Sequence, residues 1–112
     1  MIIQMQTMDQ VAAIKLANSY LKRVKQTRIP FSEAWLFGSY AKGTANDSSD
    51  IDLAIALDDA VDNSFETEVN LMVLREGEEL MIEPNVFSKA GFDESLPIVK
   101  QIKEYGLLLN IN

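Results

Sequence analysis

From Asp50 to Ala56 the chain reads Asp-Ile-Asp-Leu-Ala-Ile-Ala, an alternation that places Ile51, Leu53 and Ile55 on one face of an extended strand and Asp50, Asp52 and Ala54 on the other. Such a strand must bury its aliphatic face against other elements, while the opposite face carries two carboxylates without a basic neighbour. Three further segments can pair with it. Glu33 to Phe37 is short, aromatic-rich and bounded by Gly38, which predicts a buried strand. Glu79 to Phe87 predicts a third, with Met81, Glu83 and Asn85 facing one way and Leu80, Ile82 and Val86 the other. Pro84 lacks a backbone donor, so this strand belongs at an edge or bends there. Leu107 to Ile111 is a last strand or a docked tail.

Helical spacing accounts for the remainder. Met8, Val11, Ile14, Ala17, Leu21 and Val24 recur at three- and four-residue steps in a segment running to Arg28, which Ile29-Pro30 closes. Asp62-Asn63-Ser64 offers caps for a helix through Phe65, Val69, Leu71, Met72 and Val73 that stops at Gly77. Pro97 suits a first helical position, followed by Ile98, Ile102 and Tyr105 up to Gly106. The expectation is an α/β fold, a small mixed β-sheet with helices packed on it and the carboxylates on an exposed sheet face. The 112 residues are 47% hydrophobic and contain no repeat or linker, which predicts a single domain over 1–112. A chain this long buries roughly 65% of its unfolded surface and needs no staples.

Composition narrows the chemistry. Neither cysteine nor histidine is present. Thiolate metal sites, disulfide frameworks and Ser-His-Asp or Cys-His catalysis are therefore excluded. Any reaction is run by carboxylates, hydroxyls, amines and backbone amides. Seventeen acidic against ten basic residues give a net charge of -7, which disfavours direct binding to nucleic acid or to an anionic membrane. Twelve of the carboxylates lie between Asp47 and Glu83, where Arg75 is the only cation. Lys15, Lys22, Arg23, Lys25 and Arg28 occupy a stretch free of acid, whose basic face serves a partner or is simply solvated. No window approaches the ~20 apolar residues of a membrane span and the first residues do not resemble a signal peptide, so a cytoplasmic location is expected.

The informative run is Gly38-Ser39-Tyr40-Ala41-Lys42-Gly43-Thr44-Ala45-Asn46-Asp47-Ser48-Ser49-Asp50-Ile51-Asp52. A strand leads into a Gly-Ser turn that opens a short helix, where backbone amides and the Ser39 hydroxyl can hold a phosphate. The missing side chain of Gly38 lets backbone approach that phosphate. The chain then returns as the strand carrying Asp50 and Asp52. Two carboxylates on one face repel each other unless they share a cation, and hard oxygen donors favour Mg²⁺ or Mn²⁺. A phosphate cradle beside a two-carboxylate metal site describes metal-assisted phosphoryl or nucleotidyl transfer. A calcium loop does not fit, because Ile51 and Leu53 occupy positions where it needs glycine and oxygen ligands.

Gly38-Ser39, ten intervening residues and Asp50-x-Asp52 resemble the signature of the DNA polymerase β-like nucleotidyltransferases. In length the chain is similar to the minimal nucleotidyltransferases, the antitoxin partners of HEPN-domain toxins. The likeness covers Trp35 to Ile55 and extends through Met81 to Phe87. It implies that Asp50 and Asp52 hold two Mg²⁺ ions and that Gly38 and Ser39 bind the terminal phosphates of ATP or another nucleoside triphosphate. It also implies a third carboxylate from a later strand. Glu83 is the matching position, with Glu78 and Glu79 close by, and would complete a metal site or take the acceptor hydroxyl's proton. Lys42 either touches a phosphate or is a surface lysine, and Tyr40 either stacks on a base or packs.

The resulting expectation is a Mg²⁺-dependent nucleotidyltransferase moving AMP from ATP to a hydroxyl on a partner protein, by resemblance a tyrosine of a HEPN toxin. So short a chain has no second domain to close over base and acceptor, so a second copy in a homodimer or a different, helical protein supplies that wall. Two other readings stand beside it. One is a contact antitoxin in which the carboxylates are expendable. The other is an enzyme for a small, aminoglycoside-like hydroxyl, disfavoured by the lack of an acceptor-binding domain.

Overall fold

Asp9 begins the first helix by accepting a 2.8 Å hydrogen bond from the Ala12 N–H, satisfying one of the free amides of the first turn. A computed structural model describes residues 9–61 and 63–111. Within them the order is α1 (Gln10–Lys25), β1 (Phe31–Phe37), α2 (Ser39–Lys42), β2 (Ile51–Leu57) and α3 (Phe65–Val73). A 3₁₀ turn (Gly77–Met81), β3 (Ile82–Phe87), α4 (Pro97–Tyr105) and β4 (Leu107–Leu109) follow. Met8, expected at the start of the first helix, and Asp62, expected among the caps of α3, lie outside the described residues. Ser64 is the cap of α3, accepting from the Thr67 N–H.

The four strands form one mixed sheet in the order β3-β2-β1-β4. β1 is antiparallel to both β2 and β4, and β2 is parallel to β3. β3 lies at the edge, where Pro84 can do without a ladder partner on its outer side. The parallel pair requires a crossover, which α3 and the 3₁₀ turn supply.

The parity of β2 divides the core. Ile51, Leu53, Ile55 and Leu57 are buried with Leu36, Ile82 and Leu71, under the α1 residues Ala13, Ala17, Tyr20, Leu21 and Val24. Each buried leucine, isoleucine or valine among them contributes about 1.5–3 kcal/mol. The Tyr20 hydroxyl donates to the Leu71 carbonyl and ties α1 to α3, and burial pushes the phenol pKa up. On the other face Ala54 and Ala56 pack with Phe92 and with Val99 and Ile102 of α4, beside Trp35, Phe37 and Phe87. The sheet face that carries the carboxylates is therefore half covered by α4 rather than open along its length.

Two elements depart from their sequence pattern. α3 ends at Val73, and the segment expected to open the third strand is instead the 3₁₀ turn. The cause is Glu79, buried to 4% exposure. Its carboxylate accepts from the Glu76 N–H at 2.9 Å and forms a bidentate pair with Arg23 of α1, whose Nη1 donates to Oε2 at 3.0 Å. A buried charge requires such a partner, and drawing Glu79 inward curls the backbone before Ile82. α3 also turns most of its apolar residues away from the core. Only Leu71 of its apolar residues is buried, whereas Phe65, Val69, Met72 and Val73 face outward.

Candidate active site

The site forms where β1 ends and β2 begins. β1 passes into Gly38, at φ 73°, which is the N-cap of α2. With ψ at -151° this backbone conformation is open to glycine almost alone, and space demands glycine as well. A Cβ built on Gly38 would overlap the Asp52 Oδ2 and lie 3.0 Å from its Cγ. The sequence reading made Gly38 a place for close phosphate approach; the structure adds that the carboxylate of Asp52 occupies the space a side chain would need.

α2 is a single turn and needs outside support. Tyr40 is buried and packs in the main core, which resolves its role as packing. Gln10 of α1 donates through Nε2 to the Tyr40 and Ala41 carbonyls at 3.0 and 3.1 Å. Gly43 closes the turn in the left-handed conformation, with its N–H on the Ser39 carbonyl. The following loop is organised around Asn46. Its Oδ1 accepts from the Ser48 N–H at 2.9 Å, and its own N–H donates to Ser49 Oγ at 2.9 Å. This knot delivers the chain to Asp50 at the mouth of β2. The run Asn46-Asp47-Ser48-Ser49, with serines two and three residues after the Asn, is the local signal for such a side-chain turn.

Register aligns the carboxylates. Phe37 pairs with Asp52 across the antiparallel ladder, and Asp52 pairs with Glu83 across the parallel one. Paired residues project to the same face, so Phe37, Asp52 and Glu83 form a row across three strands spaced ~4.8 Å apart. Asp50 stands two residues before Asp52 on the same side. Asp50 and Glu83 are exposed and Asp52 is half-buried. Burial, then the charges of Glu83 and Asp50, raise the Asp52 carboxyl above its ordinary value. Glu79 and Glu78 do not join the row. Glu79 is committed to Arg23 inside the protein, and Glu78 lies in the 3₁₀ turn before β3 begins.

Among the described residues no three carboxylates are gathered closely enough to hold an ion as they stand. The donor set nevertheless fits a hard divalent cation. Asp50, Asp52 and Glu83 supply only oxygen, no lysine or arginine among the described residues forms an ion pair with them, and their mutual repulsion is what a shared cation would relieve.

On the β1 side of the row lies a small cleft of about 140 Å³, lined by Phe37, Gly38, Lys42 and the α4 residues Ile98, Gln101 and Tyr105. Lys42 is exposed, with its Nζ 5.8 Å from the centre of the Tyr105 ring. It therefore shares a cleft with Gly38 without touching the carboxylates' side of the row. The pattern in α4 had pointed to Ile98, Ile102 and Tyr105 as one packed face. Val99 and Ile102 are the buried pair, and Ile98 and Tyr105 turn toward this cleft.

A mixed sheet with a Gly-Ser turn abutting paired strand carboxylates defines a nucleotidyl-transferring class of protein. The profile of the family described as polymerase beta, nucleotidyltransferase, matches residues 18–109, and the chain belongs to that family. The fold is similar to the crystal structure of a candidate nucleotidyltransferase from Sulfolobus solfataricus, with a TM-score of 0.63. The two share 21% identity over 88% of this chain and 80% of the other, a likeness of fold. No curated protein sequence matches the chain significantly. Among the described residues no helix is long and apolar enough to cross a membrane.

Proposed function

We propose that this nucleotidyltransferase moves AMP from ATP to a hydroxyl of a partner protein, using Mg²⁺ or Mn²⁺ held by Asp50, Asp52 and Glu83. The observation that carries this reading is the fit of Asp52 into the space left by Gly38, beside Glu83 in register, because it puts the carboxylates against the turn best suited to receive phosphate. When bound, the divalent ions would neutralise the phosphates and polarise the reacting phosphorus. The chain's own residues do the rest. Gly38 and Ser39 orient the terminal phosphates, and Lys42 offers a cation from the cleft side. The acceptor oxygen bonds to the α-phosphorus as the bond to pyrophosphate breaks, and its proton passes to a carboxylate of the row, Glu83 where it is not taken up by the metal. With histidine absent, a carboxylate is the available base.

The row also has a direction. Gly38, Lys42 and the cleft lie on the β1 side, and Glu83 lies on the open β3 edge, so nucleotide and acceptor enter from opposite sides. A partner protein, by resemblance a HEPN-type helical toxin, would then cover the open side of the row. A second reading, neutralisation by contact alone, draws support from the outward apolar face of α3, which serves partner binding with or without catalysis.

The test uses ATP labelled at either the α or the γ phosphate, with the purified chain, a candidate partner and Mg²⁺. Transfer of the α label alone, abolished by chelation, is expected. Transfer of the γ label would make the chain a kinase, and no transfer with full growth rescue by Asp50→Asn would leave the contact reading.

A further inference from the structure

α3 is built inside out. Phe65, Val69, Met72 and Val73 follow one another at i, i+4, i+7 and i+8, the spacing of a single helix stripe, yet this stripe points to solvent. Phe65 is 81% exposed and Val73 74%. Arg75 extends the stripe by clamping the chain after α3. Its Nε donates to the Met72 carbonyl at 2.8 Å, and its Nη1 to the Leu80 and Ile82 carbonyls at 3.2 and 2.9 Å. Leu80, 63% exposed, is thereby held next to the end of the helix. A stripe of exposed apolar side chains of this kind marks an interaction site.

Charge identifies the occupant. At 100° per residue Glu66 and Glu68 fall on opposite flanks of the stripe, and Glu76 and Glu78 extend the acid beyond its C-terminal end. All four are exposed. Among the described residues Glu66, Glu68 and Glu78 form no ion pair, and Glu76 meets only Arg23 at 3.6 Å. α3 contains no cation. An apolar stripe with acidic flanks is complementary to an amphipathic helix whose apolar stripe has lysine or arginine flanks. A second copy of this chain does not offer one among the described residues. The basic helix α1 buries its stripe in the core, and in α4 the exposed Ile98 and Tyr105 share the surface with Glu104.

We propose that the outer face of α3, continued by Leu80, docks a basic amphipathic helix of the acceptor protein, an inference that rests on the acceptor being a protein. Position supports the assignment. Leu80 precedes Glu83 by three residues at the β3 edge, and α3 packs through Leu71 on the sheet face opposite the row, so a partner seated there would meet Glu83 across that edge and stay clear of the Gly38 cleft.

The probe is a fluorescent synthetic helix with a leucine stripe and lysine flanks, read by anisotropy against the full chain without nucleotide, with a glutamate-flanked peptide as its reverse. The lysine peptide is expected to bind and the glutamate peptide not to. Phe65→Ser with Val73→Ser should weaken binding about tenfold or more, as should Glu66→Lys with Glu68→Lys. Leu108→Ser, which removes an equally exposed leucine at the opposite sheet edge, should leave it unchanged. These sites are exposed, so thermal melting should show every variant folded. Equal affinity for all variants would overturn the proposal. A concentration-dependent dimer abolished by Phe65→Ser would overturn it in favour of self-association. Because the readout contains no nucleotide, an inactive transferase and an absent docking face give different results.

Discussion

The two faces of β2 carry four and three of its seven positions and have opposite fates. On the α1 side, Ile51, Leu53, Ile55 and Leu57 are fully buried and belong to a continuous aliphatic core. On the α4 side, Ala54 and Ala56 are buried under a lighter cover while Asp52, one step along, remains half-exposed beside Glu83. One face is built for stability, and the other ends its packing early so that charge can stay wet. Neighbouring substitutions on one strand should therefore separate folding from function.

The largest effect is expected from Asp52→Asn or Asp50→Asn. Losing a carboxylate of the row should cost about a thousandfold in transfer rate, or ~4 kcal/mol at ~1.4 kcal/mol per tenfold. The melting temperature should not fall, because repulsion in the row is relieved. Initial rates with α-labelled ATP and a thermal melt check both halves, and a fully active Asp50→Asn would remove that residue from the site.

Leu53→Ala, next to Asp52 on the opposite face, should reverse the pattern. A buried leucine cut to alanine costs about 2–5 kcal/mol of stability. Activity per folded molecule should persist. Urea denaturation measures the loss, and an unchanged midpoint would contradict the division of the strand.

The glycines sharpen the contrast at smaller magnitude. Gly43 and Gly38 both have positive φ; the left-handed helical conformation of Gly43 costs an ordinary residue ~1–2 kcal/mol, and the ψ of Gly38, -151°, lies in a region open to glycine almost alone. Nothing lies within 4 Å of a Cβ on Gly43, whereas one on Gly38 overlaps the Asp52 carboxylate. Gly43→Ala should lower stability alone, and Gly38→Ala should lower stability and nucleotide binding together, as paired melts and ATP titrations would show.

The smallest effect concerns pH. The Asp52 carboxyl is raised above its ordinary value of 3.8, first by burial and then by Glu83 and Asp50. The folded state therefore holds this proton more tightly than the unfolded chain, and the wild type loses stability as pH rises from the unfolded pKa through the folded one. Without metal, Asp52→Asn should be more stable near neutral pH by under about 1 kcal/mol, because the site is partly solvated. The gain should vanish in acid, and melts across pH would expose a flat difference as an error in this electrostatic picture.

Much of this was legible without coordinates, and the unreadable parts share a cause. The parity of β2, the Gly-Ser turn and the spacing to Asp50 and Asp52 are local, and the expected positions hold. Pro84 announced an edge strand for the same reason. The 3₁₀ turn at Gly77–Met81 was not legible, because Glu79 is drawn inward by Arg23, 56 residues earlier in the chain. The direction of α3 was hidden as well: spacing reveals a stripe but not which side meets the core, and Leu71 alone won that place.

What the sequence by itself determined is the chemistry at hand: oxygen ligands, no imidazole or thiol, and a glycine where a strand turns toward two aspartates. Only the tertiary structure decided how these parts meet. Register across the parallel pair set Glu83, and not Glu79, beside Asp52, and the Asp52 carboxylate took the space Gly38 leaves empty. The physical reason is range. Alternation and turn preference act over a few residues, whereas strand register and the pairing of a buried charge depend on groups that the folded chain brings together from far apart.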